Sequence, residues 1–140
     1  MKHAAFSHTL RVYWEDTDAG GVVFYANYLK FFERARTEWL RALGVGQQAL
    51  REATGAIFIV SDTALRYLAP ARLDDLLSIT VQPIDMGRAS MTLQQQAWRN
   101  NGELAAPTLL CEGSIRIGCV DASSFRPRRF PDQINQTLPR

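Results

Sequence analysis

Tyr13-Trp14-Glu15-Asp16-Thr17-Asp18-Ala19-Gly20-Gly21-Val22-Val23-Phe24-Tyr25-Ala26-Asn27-Tyr28 sets acidic residues and two glycines immediately before a long amphipathic segment. An α-helix begins with backbone N–H groups that lack intrahelical acceptors, and its dipole adds partial positive charge there, so an electron-rich oxygen is favoured at that end. Gly20 and Gly21 permit a tight turn that brings Asp18 round beside the first helical turn. Carboxylate and helix-start donors then share one pocket, which suits acyl transfer at a polarised thioester carbonyl. The plainer reading, in which Asp18 only closes a surface turn, is the usual role of an Asp-x-x-Gly segment. Both stand at this stage.

Outward from that stretch, Leu10, Val12 and Trp14 alternate with Thr9, Arg11 and Tyr13, which predicts a first strand running into the acidic loop. From about Tyr25 to Leu43, apolar residues recur at Tyr28, Phe31, Phe32, Ala35, Trp39 and Leu43, the spacing of a helix buried along one side. Gly44 is a suitable stop. A shorter helix is expected over roughly Gln47 to Ala53, ended by Thr54-Gly55. The text then turns to strands: Ala56 to Tyr67, interrupted by Pro70; Leu77, Ile79 and Val81 in alternation; Ala89, Met91 and Leu93 in alternation. Asn100-Asn101-Gly102 signals a hairpin into a last strand with Leu109, Cys111, Ile115, Ile117 and Cys119 on one face. One aromatic helix followed by consecutive antiparallel strands predicts an α+β fold, its sheet of about five strands curved around the helix. The two edges of such a sheet favour self-association.

A chain of 140 residues is expected to form a single domain, able to bury about two thirds of its extended surface. No run approaches the ~20 apolar residues that span a bilayer, so no transmembrane segment is expected and the location is read as cytoplasmic. Cys111 and Cys119 fall in one predicted strand, ~26 Å apart at ~3.3 Å per residue. That excludes a bridge between them there, and small buried apolar side chains in a reducing compartment fit both. The net charge of +2 gives no nucleic-acid footprint. Twelve of the 16 basic and twelve of the 14 acidic side chains precede residue 121, so the excess lies in a basic C-terminal tail from about residue 122. Its Arg126, Arg128 and Arg129, and Arg88 with Ser90 after Gly87, are candidate contacts for phosphate oxygens, which Arg forks suit. A solvated tail and a hairpin turn are the structural alternatives.

Spacing removes several other chemistries. Gly44-Val45-Gly46-Gln47-Gln48-Ala49 formally matches a dinucleotide-binding pattern, but it follows a helix where that mechanism needs a strand. Asp16-x-Asp18 resembles the start of a calcium loop, yet the twelfth position is Asn27 instead of a bidentate Glu. His3 and His8, both near the N-terminus, are poor material for a zinc site or a Ser-His-Asp triad.

The acidic loop from Tyr13 through Val23, Tyr28, and the helix text Phe32-Glu33-Arg34-Ala35-Arg36-Thr37-Glu38 resemble the hotdog-fold acyl-CoA thioesterases of the 4-hydroxybenzoyl-CoA thioesterase type. Together with Tyr67-Leu68-Ala69-Pro70-Ala71-Arg72-Leu73-Asp74-Asp75, the likeness is greatest to the Tol-Pal-associated YbgC-type branch and covers roughly residues 8 to 122. The resemblance implies a hotdog fold, a homodimer or homotetramer with active sites at subunit interfaces, and hydrolysis of an acyl-CoA thioester without metal or redox cofactor. It places the acidic catalyst on Asp18 and the helix-start donor on the backbone N–H of Tyr25. Many YbgC-type sequences carry His where Tyr25 stands, whereas the hydroxybenzoyl type has Tyr, so the substrate class stays open. Asp18 serves as general base or as nucleophile. An acyl-carrier protein is a possible alternative donor. A non-catalytic acyl-CoA or acyl-carrier-protein binding partner of envelope or lipid-synthesis machinery is the second reading. Hydratase chemistry on the same fold would want a positioned His that this motif lacks.

Overall fold

The computed structural model describes residues 5–135; residues 1–4 and 136–140, which include His3 and Arg140, lie outside the described part. The elements run β1 (Phe6–Arg11), α1 (Asn27–Ala42), α2 (Gln47–Thr54), β2 (Ala56–Tyr67), β3 (Leu76–Met86), β4 (Ser90–Arg99), β5 (Thr108–Asp121) and a single turn α3 (Asp132–Asn135). The strands form one antiparallel sheet in the order β1-β3-β4-β5-β2. The α+β expectation therefore holds, with β2 carried across to the far edge beside β5 instead of next to β3. Among the described residues no helix is long and apolar enough to cross a membrane.

α1 lies over β1, β3 and β4, and its 3.6-residue pattern is what seats it there. Tyr28, Phe31, Phe32, Ala35, Trp39 and Leu40 are buried against Leu77, Ile79 and Val81 of β3 and Met91 and Leu93 of β4. Each large apolar side chain removed from water contributes about 1.5–3 kcal/mol, so this face fixes the helix on the sheet. Gly44 at φ +84° and Gly55 at φ +77° end α1 and α2 in the left-handed region, where a Cβ would be strained.

Four features depart from the sequence pattern. β1 stops at Arg11, and Trp14 enters a short 3-10 turn over Trp14–Asp16 with 80% of its surface exposed, so the alternation Leu10, Val12, Trp14 does not continue into the loop. Residues 100–107 form a long loop closed by Asn101 Nδ2 donating to the Ala106 carbonyl at 2.8 Å, in place of a two-residue turn. A register shift opposite Ala97 and Trp98 breaks the one-face pattern of β5, so Leu110 is buried next to Cys111. Finally, the segment after residue 122 folds back: Ala122 N–H donates to Gly55 at 2.8 Å, and Phe130 and Ile134 enter the core. Cys111 and Cys119 are buried and free, as expected of small apolar side chains.

β2 reaches its edge position through a close approach. At Gly113 an added Cβ would lie 2.1 Å from the Ala64 carbonyl oxygen and 2.5 Å from Leu65 Cδ2, so only glycine lets β5 accept β2 there. Among the described residues no strand pairs with the other side of β2, residues 59–64 are all exposed, and the register slips between Val60 and Asp62.

Candidate active site

The acidic loop is a short hairpin whose two aspartates have different duties. Thr17 bridges Val23, Asp18 N–H donates to Val22 at 2.9 Å, and Phe24 N–H donates to the Asp16 carbonyl at 3.0 Å. Asp16 is buried; its carboxylate accepts from Tyr13 N–H at 2.8 Å and its carbonyl from Asn27 Nδ2 at 2.9 Å, so it holds the loop to the start of α1. Asp18 is exposed, and among the described residues its carboxylate accepts only the Gly20 N–H, at 2.8 Å. Gly21 at φ +79° supplies the left-handed residue that closes the turn. One carboxylate is thus committed to structure and the other is presented to solvent.

At the start of α1, Phe24 accepts Asn27 N–H at 2.8 Å and Ala26 accepts Leu29 N–H at 3.1 Å. The N–H groups of Tyr25 and Ala26 donate to nothing among the described residues. The helix itself begins at Asn27, two residues after the sequence expectation, so Tyr25 lies in the entering turn. Residues 67–72 strap this turn in place. Val22 bridges Arg72, Val23 N–H donates to Ala71 at 2.8 Å, Ala71 N–H donates to the Tyr28 hydroxyl at 3.3 Å, and the Tyr67 hydroxyl donates to the Tyr25 carbonyl at 3.0 Å. Burial pushes the phenols of Tyr28 and Tyr67 above their ordinary pKa of 10.0, so both hydroxyls keep their protons at neutral pH.

The candidate phosphate contacts gather elsewhere. Arg88 sits exposed in the β3–β4 turn, and its carbonyl accepts Phe130 N–H at 3.0 Å, which draws that turn against the 126–130 segment. Arg126 and Arg129 are exposed beside it. Arg128 is engaged internally, 3.6 Å from Asp121 and hydrogen-bonded to the Thr54 carbonyl, and Ser90 Oγ accepts from Arg116 at 3.3 Å. This basic group adjoins the Ala56 end of β2, whereas Tyr25, seven residues along the loop from Asp18, adjoins its Tyr67 end. β2 runs ~35 Å along its length at ~3.3 Å per residue, so Tyr25, on the same loop as Asp18, lies at the opposite end of that strand from the arginines.

A family model described as the thioesterase-like superfamily matches residues 12–138. The chain belongs to that superfamily. It is 41% identical over 134 residues to the acyl-CoA thioesterase YbgC of Haemophilus influenzae, covering 96% of this chain and 94% of that one. It is 42% identical over 134 residues to the acyl-CoA thioester hydrolase YbgC of Escherichia coli, covering 96% of each. Among solved structures, a probable thioesterase from Bartonella henselae superposes with a TM-score of 0.80 at 32% identity, covering 91% of this chain and all of that one.

Within this thioesterase-like framework, sequence reasoning missed three things. Tyr67 read as the end of a strand, because its partner Tyr25 is remote in sequence. Gln95 shares the inward phase of Met91 and Leu93, and is fully buried, with Nε2 donating to Phe32 at 3.0 Å and to Thr80 at 3.3 Å while Oε1 accepts from Arg36 at 3.0 Å. Burial pushes the Arg36 pKa down, and Glu33 opposes that shift. A cavity of about 180 Å³ beside Arg36 is lined by Trp39, Leu40, Phe58, Met91 and Ile117 and reaches Ile59 and Val60 of the exposed edge.

Proposed function

We propose that the protein hydrolyses an acyl-CoA thioester to free acid and CoA, with Asp18 as general base or nucleophile and the start of α1 at Tyr25 polarising the carbonyl. Membership of the thioesterase-like superfamily and the YbgC relatives support the thioester hydrolase activity. The observation that carries the residue assignment is the presence, in one loop, of an exposed carboxylate that holds a single hydrogen bond and of N–H groups with no acceptor among the described residues. A carbonyl oxygen bound by those N–H groups gains stabilisation as it becomes an oxyanion, ~3 kcal/mol per well-placed donor. Asp18 then takes a proton from water that attacks the carbonyl and displaces CoA thiolate, or itself attacks the carbonyl, breaking the C–S bond and expelling CoA thiolate to leave an anhydride that water opens.

The same reading makes the enzyme a homo-oligomer. β2 is an unpaired edge, and its exposed run 59–64 is centred between Ser61 and Asp62. Antiparallel pairing of two such edges about that centre sets the Ala56 end of one strand beside the Tyr67 end of the other. The Arg88, Arg126 and Arg129 group of one protomer then serves the phosphates of a substrate held at Asp18 and Tyr25 of its partner, with Arg128 and Ser90 shaping the patch from behind. A cytoplasmic location and an acyl-carrier protein as alternative donor belong to the same proposal.

Thiol release from short, long and aromatic acyl-CoAs by the wild type and by Asp18→Asn tests it. Release should fall on the order of 10²- to 10⁴-fold in the variant, the usual worth of a positioned acid or base. A folded Asp18→Asn protein with near-normal turnover refutes the role of Asp18. Stoichiometric acyl-CoA binding without any release refutes hydrolysis and favours a binding protein.

A further inference from the structure

Two peptide planes set the direction of the unpaired N–H groups at the entrance to α1. The first carries the Phe24 carbonyl and the Tyr25 N–H; the second carries the Tyr25 carbonyl and the Ala26 N–H. No peptide bond among the described residues is cis, and in a trans peptide the N–H points away from its carbonyl. Whatever holds the carbonyl therefore aims the N–H.

The first plane is held within the turn, by Asn27 N–H on the Phe24 carbonyl at 2.8 Å. The second has no such backbone anchor: among the described residues, the Tyr25 carbonyl accepts only the Tyr67 hydroxyl, at 3.0 Å. Tyr67 is fixed for that task. Its ring stands edge-on to Tyr25 at 6.3 Å and 89° and against Tyr28 at 5.6 Å and 60°, and Tyr28 is buried at the base of the helix. Hydrogen bonding to a peptide carbonyl also polarises the N–H of the same peptide, which strengthens it as a donor.

We propose that Tyr67 is a positioning residue: its hydroxyl orients the Tyr25–Ala26 peptide so that the Ala26 N–H joins the Tyr25 N–H as a second donor to the thioester oxygen. This rests on the helix start being the carbonyl site. Tyr67 touches no reacting atom and acts through the peptide it holds. Because the oxygen gains charge only on the way to the tetrahedral intermediate, the second donor acts on turnover more than on ground-state binding.

Tyr67→Phe removes the hydroxyl and keeps the ring. At a temperature where the variant is folded, kcat should fall roughly tenfold with KM unchanged, the worth of one hydrogen bond felt in the transition state. The backbone amide resonances of Tyr25 and Ala26 should shift in a ¹H–¹⁵N spectrum, a change that a loss of general stability does not produce. Tyr67→Leu, which removes ring and hydroxyl, should lose at least as much. An unchanged kcat in Tyr67→Phe overturns the inference, as does a loss confined to Tyr67→Leu, which would mean that only ring packing matters. Asp18→Asn, assayed alongside, separates the two levels: its inactivity with a fully active Tyr67→Phe sinks the positioning role alone, whereas a wild type that releases no thiol sinks the underlying site as well.

Discussion

Two inactive variants should restore one another if the site is shared between protomers. Asp18→Asn leaves the basic patch intact, and the triple variant Arg88→Ala, Arg126→Ala, Arg129→Ala leaves the acidic loop intact. Folding should survive in both. The Asn side-chain oxygen can still accept the Gly20 N–H that Asp18 accepts at 2.8 Å, and all three arginines are exposed. Each charged phosphate contact contributes about 1 kcal/mol at an exposed site, so the triple variant should lose about 100-fold in kcat/KM. In a mixed dimer, one site combines both lesions and the other combines the intact Asp18 of one chain with the intact arginines of its partner. Random exchange at equal concentration makes half of the dimers mixed, so kcat/KM should recover to about one quarter of wild type. The assay is thiol release at substrate well below KM, after co-refolding and, as a control, after simple addition without exchange. Activity no higher than the mean of the two separate variants refutes the shared site and returns the arginines to a structural or solvated role.

Gln95→Leu leaves the Phe32 carbonyl, the Thr80 carbonyl and the Arg36 guanidinium without their buried partner; it should cost about 3 kcal/mol in denaturant unfolding, and a neutral result refutes the network. Gly113→Ala forces a Cβ to within 2.1 Å of the Ala64 oxygen, so it should destabilise by about 3 kcal/mol or more and detach β2; a normal unfolding midpoint would contradict the close approach. The Ser124 and Ser123 N–H groups hold the Asp121 carboxyl below its ordinary 3.8, so its contribution is full above that value and is lost as pH falls through the lower folded value. Asp121→Asn should accordingly flatten the acid limb of a melting-temperature profile; an unchanged limb counts against it. Burial pushes the Cys111 thiol to about 12, so alkylation of the native protein at pH 8 should be negligible there and rapid labelling would refute the buried assignment.

How much was legible in the sequence depended on the range of the interaction that decides each feature. The body of α1, the inward residues of β3 and the turn-forming glycines depend on neighbours within a few positions, so period and residue type sufficed. The exposed turn that carries Asp18 just before α1 was legible too, because the acid, the glycines and the helix start are contiguous. Trp14 misled because strict alternation extends one step beyond the last strand hydrogen bond, and a 3-10 turn took over. Alternation puts Gln95 on the inward face with Met91 and Leu93, but nothing in a strand's text names its partners there, Arg36 and the Phe32 carbonyl. Phe130 was hidden behind two arginines, and Ile134 stands as a lone apolar residue in a polar stretch. The placement of the Tyr25 turn and the basic patch at opposite ends of β2 was illegible for a topological reason: only the crossing of β2 to the far edge puts its two ends beside different groups.

That crossing also ties assembly to chemistry. An unpaired strand with exposed Ile59 and Val60 is an association hazard if it stays open, and here it is the surface between the two halves of the proposed site. Covering it would satisfy the edge hydrogen bonds, close the cavity that reaches Ile59 and Val60, and bring partner arginines to the acidic loop. Activity per chain should then fall on dilution in step with the dimer fraction measured by sedimentation, because the isolated protomer has the carboxylate and the helix start without the phosphate contacts. Specific activity that stays constant while the protein dissociates to monomer would show that one chain holds a complete site, and the two-fold pairing through β2 would have to be abandoned as the source of the function.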